Sequence, residues 1–419
     1  MRIVQVNTHD IQGGAAKVAH DLYLSLKSLG YDSRMLVGEK VGTEKDVETV
    51  ESSRSFPSRL ITALRSGLRR FDEKYGLQYF FEYSGKQLLK HEAIKNADIV
   101  HFHNTHGGYL NLWAVQEVSQ KKNVVWTLHD MWALTGHCAH SFDCVKWKTG
   151  CHKCTYLDTY PSIRRDTASF LWKVKSRSAQ RSNLVITSPS KWLSGLLAES
   201  FLSNKPTETI GNAVDTSIFK PGDKTGSRSR LNLPRDKFIL IMTADNIKVN
   251  PWKGFDYLIN ALRMIKEGSK KKIFLVIIGN YEEFKLADLG IEGVCVGRLK
   301  EPGLIAEYNR ASDVFLLPSI AENSPLVLLE AFACGLPVIG FDIGGIPELI
   351  LHKKTGYLSA YKNTSDFAQG IEWFLSLNVE IYNQVCVNCI SMINEKHTLQ
   401  AQTNNFLYLY ANLLGLRHQ

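Results

Sequence analysis

Short runs of apolar residues alternate along the chain with longer segments in which apolar residues recur every three or four positions. The short runs predict strands at 2–6, 33–37, 97–102, 124–128, 183–187, 238–243, 273–278, 293–296, 314–317 and 338–341. The longer segments, for example 15–29 and 255–267, predict helices. Because strands and helices alternate, the pattern predicts an α/β protein with doubly wound parallel sheets.

The length of the chain and one turn-rich segment predict where the domains divide. A chain of 419 residues fits two domains of about 200 residues each. The run KPGDKTGSRS at 220–229 is rich in turn-forming residues, so a linker is predicted within 215–235. We therefore expect one domain at 1–215, a second at 216–395 and a final helix within 396–419.

Composition restricts the class of protein and its partners. With 44% hydrophobic and 22% charged residues, the sequence is typical of a soluble globular protein. It has no apolar run of membrane-spanning length and opens without a signal-peptide pattern, so a cytoplasmic location is expected. The net charge of +9 favours anionic partners such as nucleotide diphosphates, lipid phosphates or a membrane surface. No nucleic-acid-binding motif is recognisable, so nucleic acid is not predicted as a partner.

Two glutamates, Glu322 and Glu330, lie in the segment PSIAENSPLVLLEAFACGLPVIG, where a predicted strand leads through a turn into a helix. The helix is predicted to open at Ser324 and Pro325, because proline suits a first helical turn. Its N-terminus is a natural anion site, since unpaired N–H groups and the helix dipole both favour negative charge. At ~1.5 Å per residue the glutamates stand roughly 12 Å apart, which suits two ends of one ligand better than one bond. In the alternative interpretation both are solvated helix residues.

This segment resembles the signature of the retaining glycosyltransferases of family 4, which carry a glutamate, seven residues, a second glutamate and then Gly-x-Pro-Val. Here these are Glu322, Glu330 and the residues 335–338. The resemblance implies the GT-B fold, with two Rossmann-like doubly wound domains facing a cleft. It implies that Glu322 contacts the donor sugar as a catalytic residue and that Glu330 binds the ribose hydroxyls.

The donor site implied by the resemblance includes the turn between the two glutamates. Asn323, Ser324 and Leu326 are the expected donor-binding positions there. Many family members have two glycines and a large residue after the first glutamate, whereas this chain has Asn-Ser-Pro. The backbone that faces the phosphates is therefore expected to differ in detail.

Basic residues after strands of the second half are expected to face the donor phosphates. Lys253, followed by a glycine, resembles the family's Lys-Gly, whose lysine neutralises the leaving diphosphate as a catalytic residue. Lys248 stands where many members carry arginine. Lysine supplies charge without the bidentate fork of arginine, and an exposed surface residue is the alternative interpretation. Arg298 is a second candidate near the nucleotide, and the run 344–348 resembles the family's Gly-Gly-x-x-Glu near the same ligand.

Two turns after strands of the first half supply further candidates. Gly13 and Gly14 follow the first strand and let the backbone approach a ligand, with a purely structural turn as the alternative. In the family such a loop faces the donor phosphates and the acceptor. His129 follows the strand at 124–128 and resembles the family's histidine near the reaction centre, with a satisfied turn residue as the alternative. Three other histidines are expected to line the same edge or to be structural: His101, His103 and His106.

Four of the eight cysteines fall within an insertion at 137–155: Cys138, Cys144, Cys151 and Cys154. In a cytoplasmic protein such clustering favours metal over disulfides, and four thiolates suit a closed, structural zinc site. A histidine at 137, 140 or 152 is an alternative ligand, and four reduced cysteines are the alternative interpretation. The insertion resembles one found in some polysaccharide-assembly members of family 4. No catalytic metal is expected, because no Asp-x-Asp motif stands at a strand end.

The segment 54–74 predicts a basic amphipathic helix, because six basic and two acidic residues accompany apolar residues at helical spacing. Such a helix is typical of membrane-surface binding, which would make the protein peripheral on the inner face of the plasma membrane. The alternative is a helix packed on its own sheet with a solvated basic back.

The resemblance covers nearly the whole chain and implies a hexosyltransferase whose last helix crosses back onto the first domain. It implies transfer of a sugar from a nucleotide-diphosphate donor to a hydroxyl, with retention at the anomeric carbon. The expected acceptor is a saccharide linked to polyprenyl diphosphate, for a bacterial surface polysaccharide such as a capsule or exopolysaccharide. Two alternatives stay open: an epimerase or hydrolase of the same fold acting on the same donor, and a non-catalytic nucleotide-sugar-binding protein.

Overall fold

The computed structural model describes residues 1–51, 59–243, 250–279 and 289–416. Contacts divide the chain into two compact units. Met1–Gly211 and Gln402–Gln419 form the N-terminal unit, and Asn212–Ala401 form the C-terminal unit. The second unit thus begins a few residues before the expected boundary at 215, and the end of the chain belongs to the first unit.

The N-terminal unit is built on one sheet of seven strands. These are β1 (Arg2–His9), β2 (Asp32–Glu39), β3 (Val47–Thr49), β4 (Ile99–Phe102), β5 (Asn123–Thr127), β6 (Val185–Ser188) and β7 (Thr207–Thr209). They pair in parallel in the order β3-β2-β1-β4-β5-β6-β7. The helices are α1 (Gly14–Ser28), α2 (Arg59–Tyr75), α3 (Gly85–Leu88), α4 (Glu92–Asn96), α5 (Ala114–Ser119), α6 (Ala168–Arg181) and α7 (Lys191–Ala198). Because the strands are parallel, their carboxyl ends share one edge, and ligands of open parallel sheets bind beyond that edge.

The C-terminal unit repeats this plan with six strands. These are β8 (Phe238–Thr243), β9 (Ile273–Ile278), β10 (Glu292–Cys295), β11 (Val314–Leu317), β12 (Val338–Phe341) and β13 (Gly356–Ser359). They pair in parallel in the order β10-β9-β8-β11-β12-β13. The helices are α8 (Lys224–Arg230), α9 (Phe255–Met264), α10 (Glu267–Lys270), α11 (Pro302–Ala311), α12 (Leu326–Ala333), α13 (Thr364–Ser376) and α14 (Val379–Lys396). The order reverses at β8, as in doubly wound folds.

The central strands of the C-terminal unit were predicted with their observed bounds. Those of β8, β9, β11 and β12 are the predicted 238–243, 273–278, 314–317 and 338–341. Each strand is a nearly unbroken apolar run, and apolar clusters lie against the sheet. A parallel strand covered on both faces has no polar face to interrupt the run, so its limits are visible in the sequence.

The prediction of a linker across 215–235 was wrong in part, because α8 forms within it. Asp223 caps α8 by accepting the N–H of Gly226 at 3.0 Å. Arg228 of this helix is buried and pairs with Asp313 at 2.6 Å, and Lys224 pairs with the same carboxylate at 2.9 Å. Glycine and serine suggested a flexible segment, but paired charges and a helix cap hold it within the C-terminal unit.

The predicted amphipathic helix at 54–74 is observed as α2 from residue 59, while 52–58 lie outside the described residues. Its apolar face differs from the prediction near the C-terminal end. Phe71 is 45% exposed and the neighbouring Asp72 is buried. Across the described parts of the chain, no helix is long and apolar enough to cross a membrane.

The final helix, α15 (Leu399–Leu413), packs on the N-terminal unit. Phe406 and Tyr410 are buried in a cluster with Ile3 and Leu22. The Tyr410 hydroxyl also lies 2.6 Å from Nδ1 of His101. The helix therefore forms part of the core behind β1 and β4.

Candidate active site

The carboxyl ends of β8 and β11 approach each other closely at a glycine. Gly254 follows Lys253 in the left-handed region with φ +68, and a Cβ on it would lie 1.8 Å from the carbonyl oxygen of Pro318. Only glycine fits at such a distance from another backbone. The glycine of the predicted Lys-Gly pair is therefore required by the packing, and it holds Lys253 beside the turn that follows β11.

Lys253 and Glu322 meet as an ion pair at this edge of the sheet. The Lys253 Nζ atom lies 2.7 Å from Oε1 of Glu322, which is mostly buried, while the lysine keeps about a third of its side chain exposed. The structure thus brings together two of the three predicted catalytic residues. A fixed ammonium group can neutralise a leaving phosphate, and the adjoining carboxylate can accept hydrogen bonds from a sugar.

The turn after Glu322 is held from two sides. A Cβ on Gly344, which has φ +60, would lie 1.7 Å from the carbonyl oxygen of Glu322, so the glycine loop after β12 touches this backbone. On the other side, the Asn212 side-chain amide donates to the carbonyl of Ser324 at 2.9 Å. Asn323 is buried. Asn212 was missed as a site residue, because its 112-residue separation from Ser324 leaves no local signal.

Glu330 lies on α12 and is only 8% exposed. This burial contradicts the interpretation in which both glutamates are solvated. The helix begins at Leu326, after Pro325 rather than at Ser324, and Gly335 with φ +76 follows its last turn. A buried carboxylate must be satisfied by partners, so Glu330 has a specific role in binding or packing.

The other two basic candidates are Arg298 and Lys248. Arg298 is exposed and follows β10, just after Gly297, whose carbonyl accepts the N–H of Gly279 at 2.8 Å. Lys248 lies outside the described residues. Lys253 differs from both in that its ion pair with Glu322 fixes it at the carboxyl edge of the sheet.

In the N-terminal unit, Gly13 and Gly14 lie at the start of α1. Gly13 has φ +94, and no described atom lies within 4 Å of a Cβ built on either glycine. The loop is anchored by Asp10, which accepts the N–H groups of Val41 and Gly42 at 2.9 and 2.7 Å. Burial by itself raises the pKa of Asp10, but these N–H groups outweigh it and the pKa is lowered. The helix N-terminus is thus fixed and open to a ligand.

The predicted His129 is part of a largely buried hydrogen-bonded row. His129 Nε2 lies 3.0 Å from His103 Nδ1, and His103 Nε2 lies 2.8 Å from the side-chain oxygen of Gln5. Burial lowers the pKa of His129 to about 4, so its imidazole is neutral near pH 7.

His106 forms a second pair at the same edge. Its Nε2 lies 2.9 Å from Oδ2 of Asp130, and the Trp132 N–H donates to Oδ1 at 2.8 Å. Burial alone raises the pKa of Asp130, but His106 and the Trp132 N–H lower it to about 2. Asp130 is therefore ionised. This pair was missed as a unit, because the sequence does not show that these residues meet.

His101 has a structural role. Its ring nitrogens contact the Tyr410 hydroxyl and the Thr127 hydroxyl, both at 2.6 Å. It is fully buried, and burial lowers its pKa to about 3. It joins the sheet to α15 and belongs to the core.

A cavity of about 620 Å³ opens in the N-terminal unit beside the His106–Asp130 pair. Gly107 and Gly108 line it, and Tyr160, which also lines it, has its ring 5.8 Å from that of His106. The remaining lining residues are Arg69, Asp72, Glu73, Gly76, Gln78, Tyr79, Glu82, Ser162, Ile163 and Arg164. Its volume suits a ligand of the size of a small saccharide.

The four predicted cysteine ligands line one small cavity, of about 20 Å³, with His137. The Gly136 N–H donates to Cys151 Sγ at 3.1 Å, and Cys154 Sγ lies 3.5 Å from His137 Nε2. The donor chemistry suits zinc. In the described residues, however, no three His, Cys, Asp or Glu side chains converge to hold a metal as they stand. All eight cysteines are free thiols here, and zinc stays a prediction.

Lys175 is a buried lysine that the sequence did not single out. Its ammonium group donates to the carbonyls of Trp132 and Thr135 at 2.7 and 3.2 Å, and lies 3.6 Å from the centre of the Trp132 ring. Burial lowers its pKa to about 7. Lys175 therefore fixes the segment between Asp130 and the cysteine loop.

Comparison with known proteins identifies the class. Residues 12–218 match the model "Glycosyltransferase Family 4" and residues 223–388 match "Glycosyl transferases group 1". Sucrose-phosphate synthase from Thermosynechococcus elongatus superposes with a TM-score of 0.69, at 16% identity, over 100% of both chains. Anabaena HepE, solved in complex with UDP-glucose, superposes with a TM-score of 0.66, at 16% identity, over 98% of this chain and 99% of that one. The protein has the α/β GT-B fold of two Rossmann-like domains, as predicted.

The putative colanic acid biosynthesis glycosyl transferase WcaC of Escherichia coli is 28% identical over 376 residues. The match covers 85% of this chain and 86% of that protein. The chain belongs to the family 4 glycosyltransferases and is an enzyme of that class.

Proposed function

We propose that the protein transfers a hexose from a nucleotide-diphosphate sugar to a hydroxyl of a lipid-linked saccharide, with retention at the anomeric carbon. The observation that carries this proposal is the Lys253–Glu322 ion pair within the family signature. The complex of the structurally similar HepE with UDP-glucose supports a nucleotide-sugar donor. The name of the E. coli relative supports an acceptor that belongs to a surface polysaccharide.

The proposed donor site divides between the two ends of the ligand. Lys253 and the start of α12 bind the diphosphate, because both present positive charge at the carboxyl edge of the sheet. Glu322 accepts hydrogen bonds from the sugar, and Glu330 from the ribose. No catalytic metal is needed in this proposal, since the lysine and the helix N-terminus supply the charge.

The proposed reaction exchanges one bond to the anomeric carbon for another on the same face of the sugar. The bond from that carbon to the diphosphate oxygen breaks, and its electron pair leaves with the nucleoside diphosphate beside Lys253. The acceptor oxygen forms the new bond, and its proton passes to the leaving phosphate oxygen. The products are a glycoside and a nucleoside diphosphate.

The cavity of the N-terminal unit is the proposed acceptor site. Tyr79 and Tyr160 offer ring surfaces for the apolar face of a sugar, and Glu73 offers a carboxylate for its hydroxyls. His129 lies at the same sheet edge as a neutral imidazole. We assign it the task of orienting a hydroxyl, because a neutral ring can accept a hydrogen bond without adding charge.

Substitution of each glutamate tests the proposal. Glu322→Ala should lower kcat by about 10²- to 10³-fold with little change in donor affinity, because its contact forms with the reacting sugar. Glu330→Ala should mainly weaken donor binding. Glu380→Ala, at an exposed position in the first turn of α14, is the matched control. A thermal-shift screen of UDP-, GDP- and ADP-sugars identifies the donor beforehand, because a bound ligand raises the midpoint.

The same assay separates the alternatives. A hydrolase or epimerase consumes the donor at full rate without any acceptor, whereas a transferase requires the acceptor. Equal loss of donor affinity in both glutamate variants, with unchanged turnover at saturation, would contradict the assignment of Glu322 to the reacting sugar.

A further inference from the structure

Three phenylalanines from separate segments are exposed side by side on the N-terminal unit. Phe71 of α2 is 45% exposed, Phe81 after it is 42% exposed, and Phe170 of α6 is 44% exposed. Together with the rings beneath them, Tyr75, Phe80 and Trp113, they form what we call the aromatic patch. Isolated exposed apolar residues are ordinary, whereas a contiguous group of large rings indicates an interaction surface.

The rings of the aromatic patch support one another. Phe71 contacts Tyr75 and Phe81, with centroids 4.4 and 6.0 Å apart. Phe80 connects the rest, since its ring lies 5.3 Å from Phe81, 4.9 Å from Trp113 and 6.0 Å from Phe170. Because Trp113 is partly buried against the core of the unit and Phe80 packs on it, the exposed rings are held in place. These side chains therefore lose little conformational entropy when a partner covers them.

Basic side chains flank the aromatic patch at Tyr75. The Arg165 guanidinium lies 4.8 Å from the centre of the Tyr75 ring, and the Lys74 ammonium lies 5.6 Å from it. Arg70 and Arg164 are exposed nearby in sequence. The acidic Glu82 is already paired with Arg69 at 2.6 Å, and Asp72 is buried. Aromatic rings edged by cations suit the headgroup region of an anionic bilayer, where rings meet acyl chains and cations meet phosphates.

The aromatic patch is continuous with the 620 Å³ cavity through α2. Phe71 and Tyr75 belong to the patch, while Asp72, Glu73 and Gly76 of the same helix line the cavity. Tyr79 of the cavity directly precedes Phe80 of the patch. An apolar surface and a polar cavity of saccharide size thus adjoin, which matches an amphipathic molecule whose lipid lies in a bilayer.

We propose that the aromatic patch docks the N-terminal unit on an anionic lipid bilayer, so that the cavity opens at the level of the headgroups. The purpose of this docking rests on the proposed function, because docking would present a lipid-linked saccharide to the acceptor site. It replaces the interpretation in which the face of a single amphipathic helix binds the membrane. The surface is made by three segments that meet only in the folded protein.

The test is vesicle binding by the full chain, without donor or acceptor. The wild type should sediment with vesicles of phosphatidylcholine and phosphatidylglycerol, and much less of it should sediment with vesicles of phosphatidylcholine alone. The triple variant Phe71→Ser, Phe81→Ser, Phe170→Ser should bind at least about tenfold more weakly, because apolar insertion is lost. Lys74→Ser with Arg165→Ser should lower binding roughly fivefold for each charge removed.

The control variant is Leu24→Ser with Leu351→Ser, which removes two comparably exposed apolar side chains elsewhere. It should bind vesicles like the wild type. The thermal shift produced by UDP-glucose, or by whichever donor the screen selects, should be the same in every variant, which separates failure of docking from failure of the donor site. Undiminished vesicle binding by the triple variant would overturn the proposal. So would a wild-type dimer, seen by light scattering, that ignores vesicles and becomes monomeric in the triple variant.

Discussion

The two units present opposite chemistry at equivalent edges of similar sheets. At the carboxyl ends of its strands, the C-terminal unit carries a charged pair, Lys253 and Glu322, in a partly open position. The N-terminal unit carries the buried His103 and the partly buried His129 there, both with lowered pKa values. One edge therefore offers a partly exposed ion pair, and the other offers two neutral histidines beside an ionised Asp130 that is paired with His106.

This difference follows the proposed ligands of each edge. A diphosphate is a permanent anion, and a fixed cation stabilises it as it leaves. A sugar hydroxyl is neutral, and a charged partner buried near it would require its own compensation. Each doubly wound unit thus has a ligand-binding edge at the carboxyl ends of its strands, and the side chains at that edge determine its chemistry.

The largest effect is expected at the glycines, where the two units again differ. Gly344→Ala should destabilise the C-terminal unit by about 4 kcal/mol and abolish donor binding, because its Cβ would meet the Glu322 backbone at 1.7 Å. Gly14→Ala, in open space at the start of α1, should leave stability unchanged. Thermal unfolding with and without donor measures both. Unchanged stability and binding in Gly344→Ala would show that the turn does not depend on the glycine. Lost activity in Gly14→Ala at normal stability would show that a ligand needs the space.

The next effect concerns charge at the C-terminal edge. Lys253→Ala should lower kcat by about 10²- to 10³-fold, equivalent to about 3–4 kcal/mol in the barrier, because no cation then faces the leaving diphosphate. Lys354→Ala, an exposed lysine of the same unit, is the control. Steady-state turnover at saturating donor measures the difference. A kcat within a few-fold of the wild type would remove Lys253 from the mechanism.

The neutral histidines of the N-terminal unit predict a loss of stability in acid. The pKa of His129 is about 4 in the fold, against about 6.5 when unfolded, so the unfolded state binds more protons between these values. Stability is therefore full above pH 6.5 and falls by about 3 kcal/mol for this residue as the pH drops to 4. His101, with a pKa of about 3, makes the free energy of unfolding fall more steeply with decreasing pH.

Urea unfolding followed by tryptophan fluorescence checks this expectation, since six of the eight tryptophans lie in the N-terminal unit. His129→Asn should reduce the slope by about 1.4 kcal/mol per pH unit between pH 4 and 6.5. His352→Gln, at an exposed histidine of the C-terminal unit, should leave it unchanged. Equal slopes in the wild type and His129→Asn would mean that His129 is not held neutral by the fold.

The smallest effect on turnover is expected at the cysteine loop, where the predicted zinc is structural. Purified wild type should contain about one zinc per chain by elemental analysis, and Cys151→Ser should lose it with modest loss of activity. Cys295→Ser, outside the loop, should keep the metal. A metal-free and fully active wild type would reject the prediction.

The sequence predicted the C-terminal unit better than the N-terminal unit for physical reasons. The buried strands β8, β9, β11 and β12 are apolar throughout, so their limits were evident. The glutamates and Lys253 belong to one local signature and to a Lys-Gly pair. The functional groups of the N-terminal unit come from several loops, and their partners are distant in sequence. His106 with Asp130, and Asn212 with Ser324, had no local signal for that reason.

The sequence by itself determined the fold class and the enzyme family, and it predicted the donor-side residues, because these depend on local periodicity and on motifs of adjacent residues. Only the tertiary structure decided that α8 replaces part of the expected linker, that His101 belongs to the core, and that Glu330 is buried. It also decided that Phe71, Phe81 and Phe170 form one exposed surface beside a cavity. These features depend on contacts between residues far apart in the chain, which hydrophobic periodicity does not specify.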